Sequence, residues 1–203
     1  MSMLHWIKSK IWQNRFSQVV EDVGDAFAVA PRRMVHVVVM DGTLSSLEEG
    51  FETNARLAYQ LLKRNAGPGV TLHYQPGLQF DRGNFLVSAW SVFTGSGLDL
   101  QIQQVYGALA SRYQPGDEIF LIGYSRGAFA ARSLAGLIDR VGLLRRDQAT
   151  QRHVSLAYRH YRDGGAGLWA FAKDYCHLGV PIAAIGVWDT VKALGLRLPG
   201  LWW

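Results

Sequence analysis

The sequence from Gly123 to Gly127, Gly-Tyr-Ser-Arg-Gly, places Ser125 between two glycines where a strand-like stretch becomes helix-like. The G-x-S-x-G pattern in this context is typical of a nucleophile elbow, a sharp turn that exposes a serine hydroxyl for attack on a carbonyl carbon. Gly123 and Gly127 fit such a turn, because small residues at these positions let the strand and the helix approach each other. The alternative is that Ser125 only caps the helix. Capping needs neither glycine, so the motif favours catalysis.

A serine nucleophile needs a base to take its proton and a carboxylate to orient that base. Asp189 fits the carboxylate, because it directly follows an apolar stretch, Ala-Ala-Ile-Gly-Val-Trp, that reads as a strand. Its alternative role is to cap a helix beginning at Thr190. His160 and His177 are the candidate bases. Both lie between Ser125 and Asp189, which departs from the common order of serine, acid and histidine, but triads are defined by geometry and not by order.

An oxyanion that forms during such a reaction needs N–H donors close to the serine. The amide of Arg126 is one candidate, because it lies at the predicted helix N-terminus, where the helix dipole favours negative charge. Gly42 and Thr43 are the others, since they follow an early strand, where many serine hydrolases keep a second oxyanion amide. A glycine turn is also a common way for a chain to leave a strand.

These side chains require a scaffold in which apolar strands alternate with helices. The strand from Met34 to Met40 and the strand from Glu118 to Ile122 are rich in β-branched or apolar residues, which favours a mainly parallel sheet covered on both faces, the α/β class. A third apolar strand precedes Asp189. Because catalytic groups gather at the carboxyl ends of parallel strands, we expect the turns at Asp41, Ser125 and Asp189 to converge.

The remaining elements are predicted from periodicity and from turn residues. Residues 1–33 form an amphipathic helical segment with Val19, Val20 and Val23 among its apolar positions, and residues 34–203 form the α/β domain. A helix after Asp41 places Thr53, Leu57 and Leu61 on one face. Residues 77–97 lack periodicity and are predicted to be a long loop or lid, and two further helices precede the last strand, which is predicted to be buried.

Composition excludes several classes of function. The 203-residue chain has 49% hydrophobic residues, a formal charge of +5 and a single cysteine, which indicates a packed globular protein without an intramolecular disulfide or a cysteine-based zinc cluster. The arginines are scattered and no binding motif accompanies them, so we expect no nucleic-acid partner. No apolar run is long enough to span a bilayer and no signal peptide is evident. The chain is therefore expected in the cytoplasm, or to be exported as an effector without a signal peptide.

Several motifs together resemble a bacterial and fungal family of α/β-hydrolases that includes the catalytic domains of type VI secretion phospholipase effectors. Family members have a Phe-Asp-Gly-Thr turn, a Thr-Asn-Val motif, a Tyr-x-Pro-Gly stretch, a Gly-Phe-Ser-Arg-Gly-Ala elbow and a Gly-Val-Trp-Asp-Thr-Val motif. The matching stretches here are VVMDGT, ETNARL, YQPG at Tyr74 to Gly77, YQPGDEIFLIGYSRGAFAARSLAGLI, and GVWDTV from Gly186 to Val191. The long match around the elbow is the specific part of the resemblance, which covers the chain from about residue 34.

The resemblance implies a serine hydrolase that acts on phospholipid or other carboxylic esters, with Ser125 as nucleophile and Asp189 as acid. It implies no metal and no organic cofactor, a lipid or ester substrate, and a membrane surface or a secretion-system protein as a partner. In the family the catalytic histidine follows the Trp-Asp-Thr motif, whereas the fourteen residues after Asp189 include no histidine. We therefore expect an α/β-hydrolase-like fold that is incomplete at its C-terminus and lacks the last strand, its helix and the base.

Two alternatives remain open from the residues alone. The first is a catalytically impaired or truncated hydrolase fold that serves in lipid or partner binding. The second is a phosphate-binding module that uses helix N-termini, which is weaker because the chain contains neither a P-loop nor a dinucleotide fingerprint.

Overall fold

A five-stranded sheet organises the protein in its computed structural model, which describes residues 19–23, 33–42, 53–77 and 96–192. Its strands are β1 (Val19–Val23), β2 (Val35–Met40), β3 (Val70–Gln75), β4 (Glu118–Tyr124) and β7 (Ile182–Trp188), in the order β1-β3-β2-β4-β7. All neighbouring pairs are parallel except β1 with β3. Two short strands, β5 (Leu143–Leu144) and β6 (Cys176–His177), form a separate antiparallel pair. The predicted α/β class with a mainly parallel sheet is confirmed.

Helices cover both faces of this sheet. They are α1 (Asn54–Asn65), α2 (Ser96–Ala110), α3 (Arg126–Val141), α4 (Gln151–Asp163) and α5 (Leu168–Tyr175). Side chains alternate across a strand, and in β2 this sends Val37 and Val39 into one hydrophobic cluster and Val38 and Met40 into the other. The first cluster includes α1 residues, and the second is formed mainly with α2, α3 and α4. A continuous β-branched run is therefore what a strand buried on both faces requires.

The helix prediction for the N-terminal segment is wrong at Val19–Val23, which form β1. This strand pairs antiparallel with β3 in the register Val19 to Tyr74 and Val23 to Val70. Valines at 19, 20 and 23 fit a helical stripe, but β-branched residues also favour strands. Pairing with β3 decides between the two. The rest of residues 1–32 lies outside the described residues.

The predicted helix after Asp41 is α1 in the described residues, and it buries a different face from the one expected. Thr53 is its N-cap, and the Thr53 hydroxyl accepts a hydrogen bond from the Arg56 N–H at 3.0 Å. Leu57 and Leu61 are exposed, whereas Ala55, Arg56 and Tyr59 are buried. The leucine spacing was correct for a helix but indicated the wrong side of it, because two leucines four residues apart do not show which surface the sheet offers.

The predicted buried strand before Asp189 is β7, and it is largely exposed. It pairs with β4 alone among the described strands, so it forms one end of the sheet in that part of the chain. Ile185 is 43% exposed and Trp188 is 38% exposed. Apolar composition predicted the strand correctly, but position in the sheet determines burial. The two predicted helices before it are α4 and α5, and most of the predicted loop at 77–97 lies outside the described residues.

Within the described residues, no helix combines the length and the apolar character that crossing a bilayer would require.

Candidate active site

The carboxyl ends of β2, β4 and β7 lie side by side, which brings the three predicted turns together. Met40 is opposite Gly123 in the β2–β4 pair, and Tyr124 is opposite Trp188 in the β4–β7 pair. Asp41, Ser125 and Asp189 each follow one of these strand ends. The parallel order β2-β4-β7 is therefore what places residues more than sixty positions apart in one site.

Ser125 connects β4 to α3 with a backbone that non-glycine residues rarely adopt. Its φ is 54° and its ψ is −119°, and its side chain makes no capping hydrogen bond to α3. A backbone of this kind costs of order 1–3 kcal/mol and persists only where the surroundings impose it. A helix cap normally has β-region dihedrals and a bonded side chain. The geometry therefore favours the nucleophile elbow over simple capping.

The two elbow glycines are required by close backbone contacts. A Cβ on Gly123 would lie 2.6 Å from the Ala128 Cα. A Cβ on Gly127 would overlap the carbonyl group of Met40 and lie 2.6 Å from the Asp41 carbonyl oxygen. Real Cβ atoms do not approach backbone so closely, so α3 can pack on the ends of β4 and β2 only if both residues lack side chains.

Asp189 has the second positive φ among the described non-glycine residues, at 46°. Its turn is joined to the elbow by two main-chain hydrogen bonds. The Ser125 N–H donates to the Trp188 carbonyl oxygen at 3.0 Å, and the Val191 N–H donates to the Ser125 carbonyl oxygen at 3.2 Å. Asp189 is exposed, and residues 190–192 are not helical. The described backbone therefore offers no helix start directly after Asp189 for this residue to cap.

The Asp41 turn differs from its predicted role as a source of oxyanion amides. Gly42 lies against the elbow, since a Cβ on it would be 3.2 Å from the Ser125 Cβ. However, the Gly42 N–H donates to the Asp41 Oδ1 at 2.7 Å, so it is not free to bind an oxyanion. A role for Gly42 as an oxyanion donor stays a prediction, and it would require this N–H to leave Asp41. Thr43, the other predicted donor of this turn, lies outside the described residues.

Asp41 is 3% exposed, and its carboxylate accepts three further side-chain contacts. The Thr53 hydroxyl lies 2.9 Å from Oδ1 and 2.8 Å from Oδ2, and the Tyr74 hydroxyl donates to Oδ2 at 2.6 Å. Burial, followed by the hydrogen bond to Asp41, raises the pKa of Tyr74 well above its ordinary value. The phenol therefore stays protonated and continues to donate.

Arg126 is the first residue of α3, directly after Ser125. The first amides of a helix have no intrahelical acceptor, and they point toward the positive end of the helix dipole. Partial burial lowers the pKa of the Arg126 guanidinium from its ordinary value. The Arg126 amide therefore lies at the helix N-terminus as expected, and its role as an oxyanion donor stays a prediction.

His177 lies beyond the end of α3 that is opposite Ser125, and the ring of His160 packs on Phe171 with 5.0 Å between the ring centroids. Tyr161, next to His160, contacts Gly136, which is about 16 Å along the helix from Ser125 at 1.5 Å per residue. His177 pairs with Leu143, just beyond the C-terminus of α3, and its carbonyl packs on Gly142. In the described part of the chain, neither imidazole hydrogen-bonds Ser125, and the His177 ring packs on Tyr113.

The other described histidines are also engaged away from the elbow. His36, at the start of β2, contacts the Thr71 hydroxyl at 2.7 Å and the Asp117 carboxylate at 3.0 Å. His73, inside β3, lines a small cavity with His36 and Arg112. His153 bonds the Gln148 carbonyl oxygen and packs on aromatic rings. In the described part of the chain, no group of three or more His, Cys, Asp or Glu residues is arranged to hold a metal ion.

The network around Asp41 was not predicted from the sequence. From the sequence, the Asp-Gly-Thr turn indicates only a loop that supplies amides. A signal was present in Thr53, a residue type that favours helix N-caps, but its second contact to Asp41 depends on how α1 packs beside β2 and β3.

The chain is similar to known proteins over most of its length. Residues 32–202 match the family model described as T6SS, phospholipase effector Tle1-like, catalytic domain. The chain is also 35% identical over 138 residues to the uncharacterized protein YEL023C of Saccharomyces cerevisiae. This alignment covers 62% of the present chain and 20% of the yeast protein. The chain thus spans about a fifth of the length of that relative. With most of its length matched, the chain belongs to the Tle1-like catalytic-domain family of type VI secretion phospholipase effectors.

Proposed function

We propose that this protein hydrolyses carboxylic ester bonds of phospholipids with Ser125 as the nucleophile. The observation that carries the proposal is the strained backbone of Ser125 at the N-terminus of α3, with a side chain that makes no cap. A phospholipase family supplies the substrate class. The lipid headgroup and the acyl chain are not part of the proposal.

The reaction would proceed by acyl transfer in two halves. The Ser125 Oγ gives its proton to a base and forms a bond to the ester carbonyl carbon. The tetrahedral oxyanion accepts hydrogen bonds from the Arg126 amide and from a second amide. Collapse breaks the bond to the lipid alcohol, which takes the proton from the base, and water then releases the fatty acid by the same route.

Asp189 would orient the base and stabilise its positive charge, because its turn is hydrogen-bonded to the elbow. Because Gly42 uses its N–H for Asp41, the Thr43 amide is the better candidate for the second oxyanion donor. Since the described histidines lie elsewhere, we infer that the base comes from outside the described residues. As a member of an effector family, the protein would meet its substrate at a membrane surface after export.

The placement of the described histidines also favours a second candidate, a hydrolase fold that binds lipid without turning it over. Binding requires exposed apolar side chains, such as Ile185 and Trp188 on β7, but no base. The two candidates differ in whether Ser125 is chemically activated.

A fluorophosphonate probe tests this difference, because it reacts with activated serines. We expect the purified chain to be labelled at Ser125 and to release fatty acid from phosphatidylcholine or phosphatidylglycerol vesicles. Ser125→Ala should abolish both, whereas Ser133→Ala, also on α3, should abolish neither. Vesicle binding without labelling or turnover would overturn the hydrolase proposal in favour of the binding protein.

A further inference from the structure

We propose that Asp41 is a positioning residue for the hydrolytic reaction, one that holds the end of β2 against the nucleophile turn. The inference rests on the proposed function and extends it to a residue that neither attacks the substrate nor orients the base. Its basis is the set of contacts that a single buried carboxylate makes.

The Asp41 carboxylate joins three separate parts of the fold. It accepts a hydrogen bond from the Gly42 N–H in its own turn, from Tyr74 in β3, and from Thr53 at the start of α1. The main-chain N–H of Asp41 donates to the Gln75 carbonyl oxygen at 2.9 Å. An ionised carboxylate only accepts hydrogen bonds, which matches the donors that surround it. The β2 end is therefore fixed on several sides.

The backbone that Asp41 fixes is in direct contact with the elbow. The carbonyl oxygens of Asp41 and Met40 contact Gly127. Gly42 contacts Tyr124 and Ser125. A shift of the β2 end would thus move the surface on which the elbow is built. Catalytic geometry is sensitive to such shifts, since a displacement of 1 Å can cost about 100-fold in rate.

The hydrogen bond from Gly42 to Asp41 also fixes the orientation of Gly42 itself. With its N–H turned to Oδ1 at 2.7 Å, Gly42 is held in one orientation next to the Ser125 side chain. Charge-assisted hydrogen bonds of this kind are stronger than neutral ones. Loss of the negative charge would loosen the turn without removing any group that touches the substrate.

Asp117 provides a matched control for this role. It is 5% exposed, and it accepts hydrogen bonds from the Met34 N–H at 2.9 Å, from the Gln114 N–H at 2.8 Å and from His36. It lies just before β4 and bonds the start of β2, at the opposite edge of the sheet from Ser125. Its replacement should affect folding to a similar degree but not the reaction.

The experiment compares Asp41→Asn with Asp117→Asn on vesicle substrate. We expect Asp41→Asn to lower kcat about 10-fold to 100-fold with KM within about threefold, and Asp117→Asn to leave both close to wild type. An alkyl trifluoromethyl ketone, which mimics the tetrahedral adduct, should bind Asp41→Asn more weakly by a factor similar to the loss in kcat. If Asp41 had a purely structural role, Asp41→Asn and Asp117→Asn would change kcat to the same extent.

A milder pair covers the case in which Asp41→Asn does not fold. Tyr74→Phe removes one donor to Asp41, and Tyr106→Phe removes a buried hydroxyl that bonds Gly142 and Leu144 at the far end of α3. We expect a loss in kcat for the first variant and not for the second. If Asp41→Asn has the same kcat as Asp117→Asn, and Tyr74→Phe the same as Tyr106→Phe, the positioning role is overturned. Labelling of wild-type Ser125 in that case still supports the proposed function. An unlabelled wild type would instead overturn both.

Discussion

The main-chain N–H of Ser125 donates to the carbonyl oxygen of Trp188 at 3.0 Å, so the nucleophile turn is bonded to the residue before Asp189. This bond continues the β4–β7 pairing by one residue beyond the strand ends. The proposed serine and acid are therefore held by the sheet itself and not by a flexible connection.

Asp189→Asn should abolish most activity without a comparable loss of stability. An orienting aspartate in a catalytic triad contributes about 10⁴-fold to kcat, whereas an exposed side chain contributes little to folding. Turnover of vesicle lipid and thermal unfolding of the variant measure the two effects. Asp139→Asn, an exposed change on α3, is the control, and an Asp189→Asn enzyme within tenfold of it would contradict the assignment.

Gly127→Ala should destabilise the protein by about 3 kcal/mol or more and remove Ser125 labelling. The new methyl group would overlap the Met40 carbonyl, and a rigid strand end cannot move away at low cost. Urea denaturation gives the change in stability. Gly67→Ala serves as the comparison, because its Cβ would have no neighbour within 4 Å. Similar unfolding midpoints for the two variants would show that the close approach of α3 and β2 is not rigid.

His73 should make the protein sensitive to acid. Burial, with a smaller effect from Arg112, lowers the pKa of His73 from 6.5 to about 4. In the unfolded chain His73 is protonated below pH 6.5, whereas in the folded protein it stays neutral down to about pH 4. The free energy of unfolding therefore falls as the pH is lowered from 6.5 to about 4. His73 accounts for a loss of about 3 kcal/mol in the free energy of unfolding over this pH range.

His73→Leu tests this effect, because leucine cannot titrate. We expect the free energy of unfolding to fall less between pH 7 and pH 4 in the variant than in the wild type, as measured by urea denaturation at both pH values. Parallel pH dependences would rule out His73 as the source of acid sensitivity.

His160→Gln and His177→Gln should leave ester hydrolysis unchanged. The described His177 lies beyond the C-terminal end of α3, the described His160 ring packs on Phe171, and neither bonds the Ser125 hydroxyl. The measurement is kcat/KM on vesicle lipid for each variant and for the double variant. A fall of a hundredfold or more in either single variant would show that one of these imidazoles reaches the serine.

Local sequence patterns predicted the parts of the site that depend on neighbouring residues. The strand, turn and helix around Ser125 form as expected, because two glycines, an apolar strand and an alanine-rich helix all favour the same elbow. Local patterns predicted the wrong element at Val19–Val23, because valines fit both a helix and a strand. They predicted the β7 strand correctly but its burial wrongly.

The sequence by itself determined the α/β class, the elbow at Ser125 and the position of Asp189 at the end of a strand. These features follow from residue type and short-range spacing, which act through backbone preference and periodicity. Only the tertiary structure decided that the Gly42 N–H bonds Asp41, and that Tyr74 and Thr53 converge on that carboxylate. It also decided that His160 packs on Phe171 and that His177 pairs with Leu143. These contacts join residues that are distant in the chain, and their distances are set by strand order and helix packing.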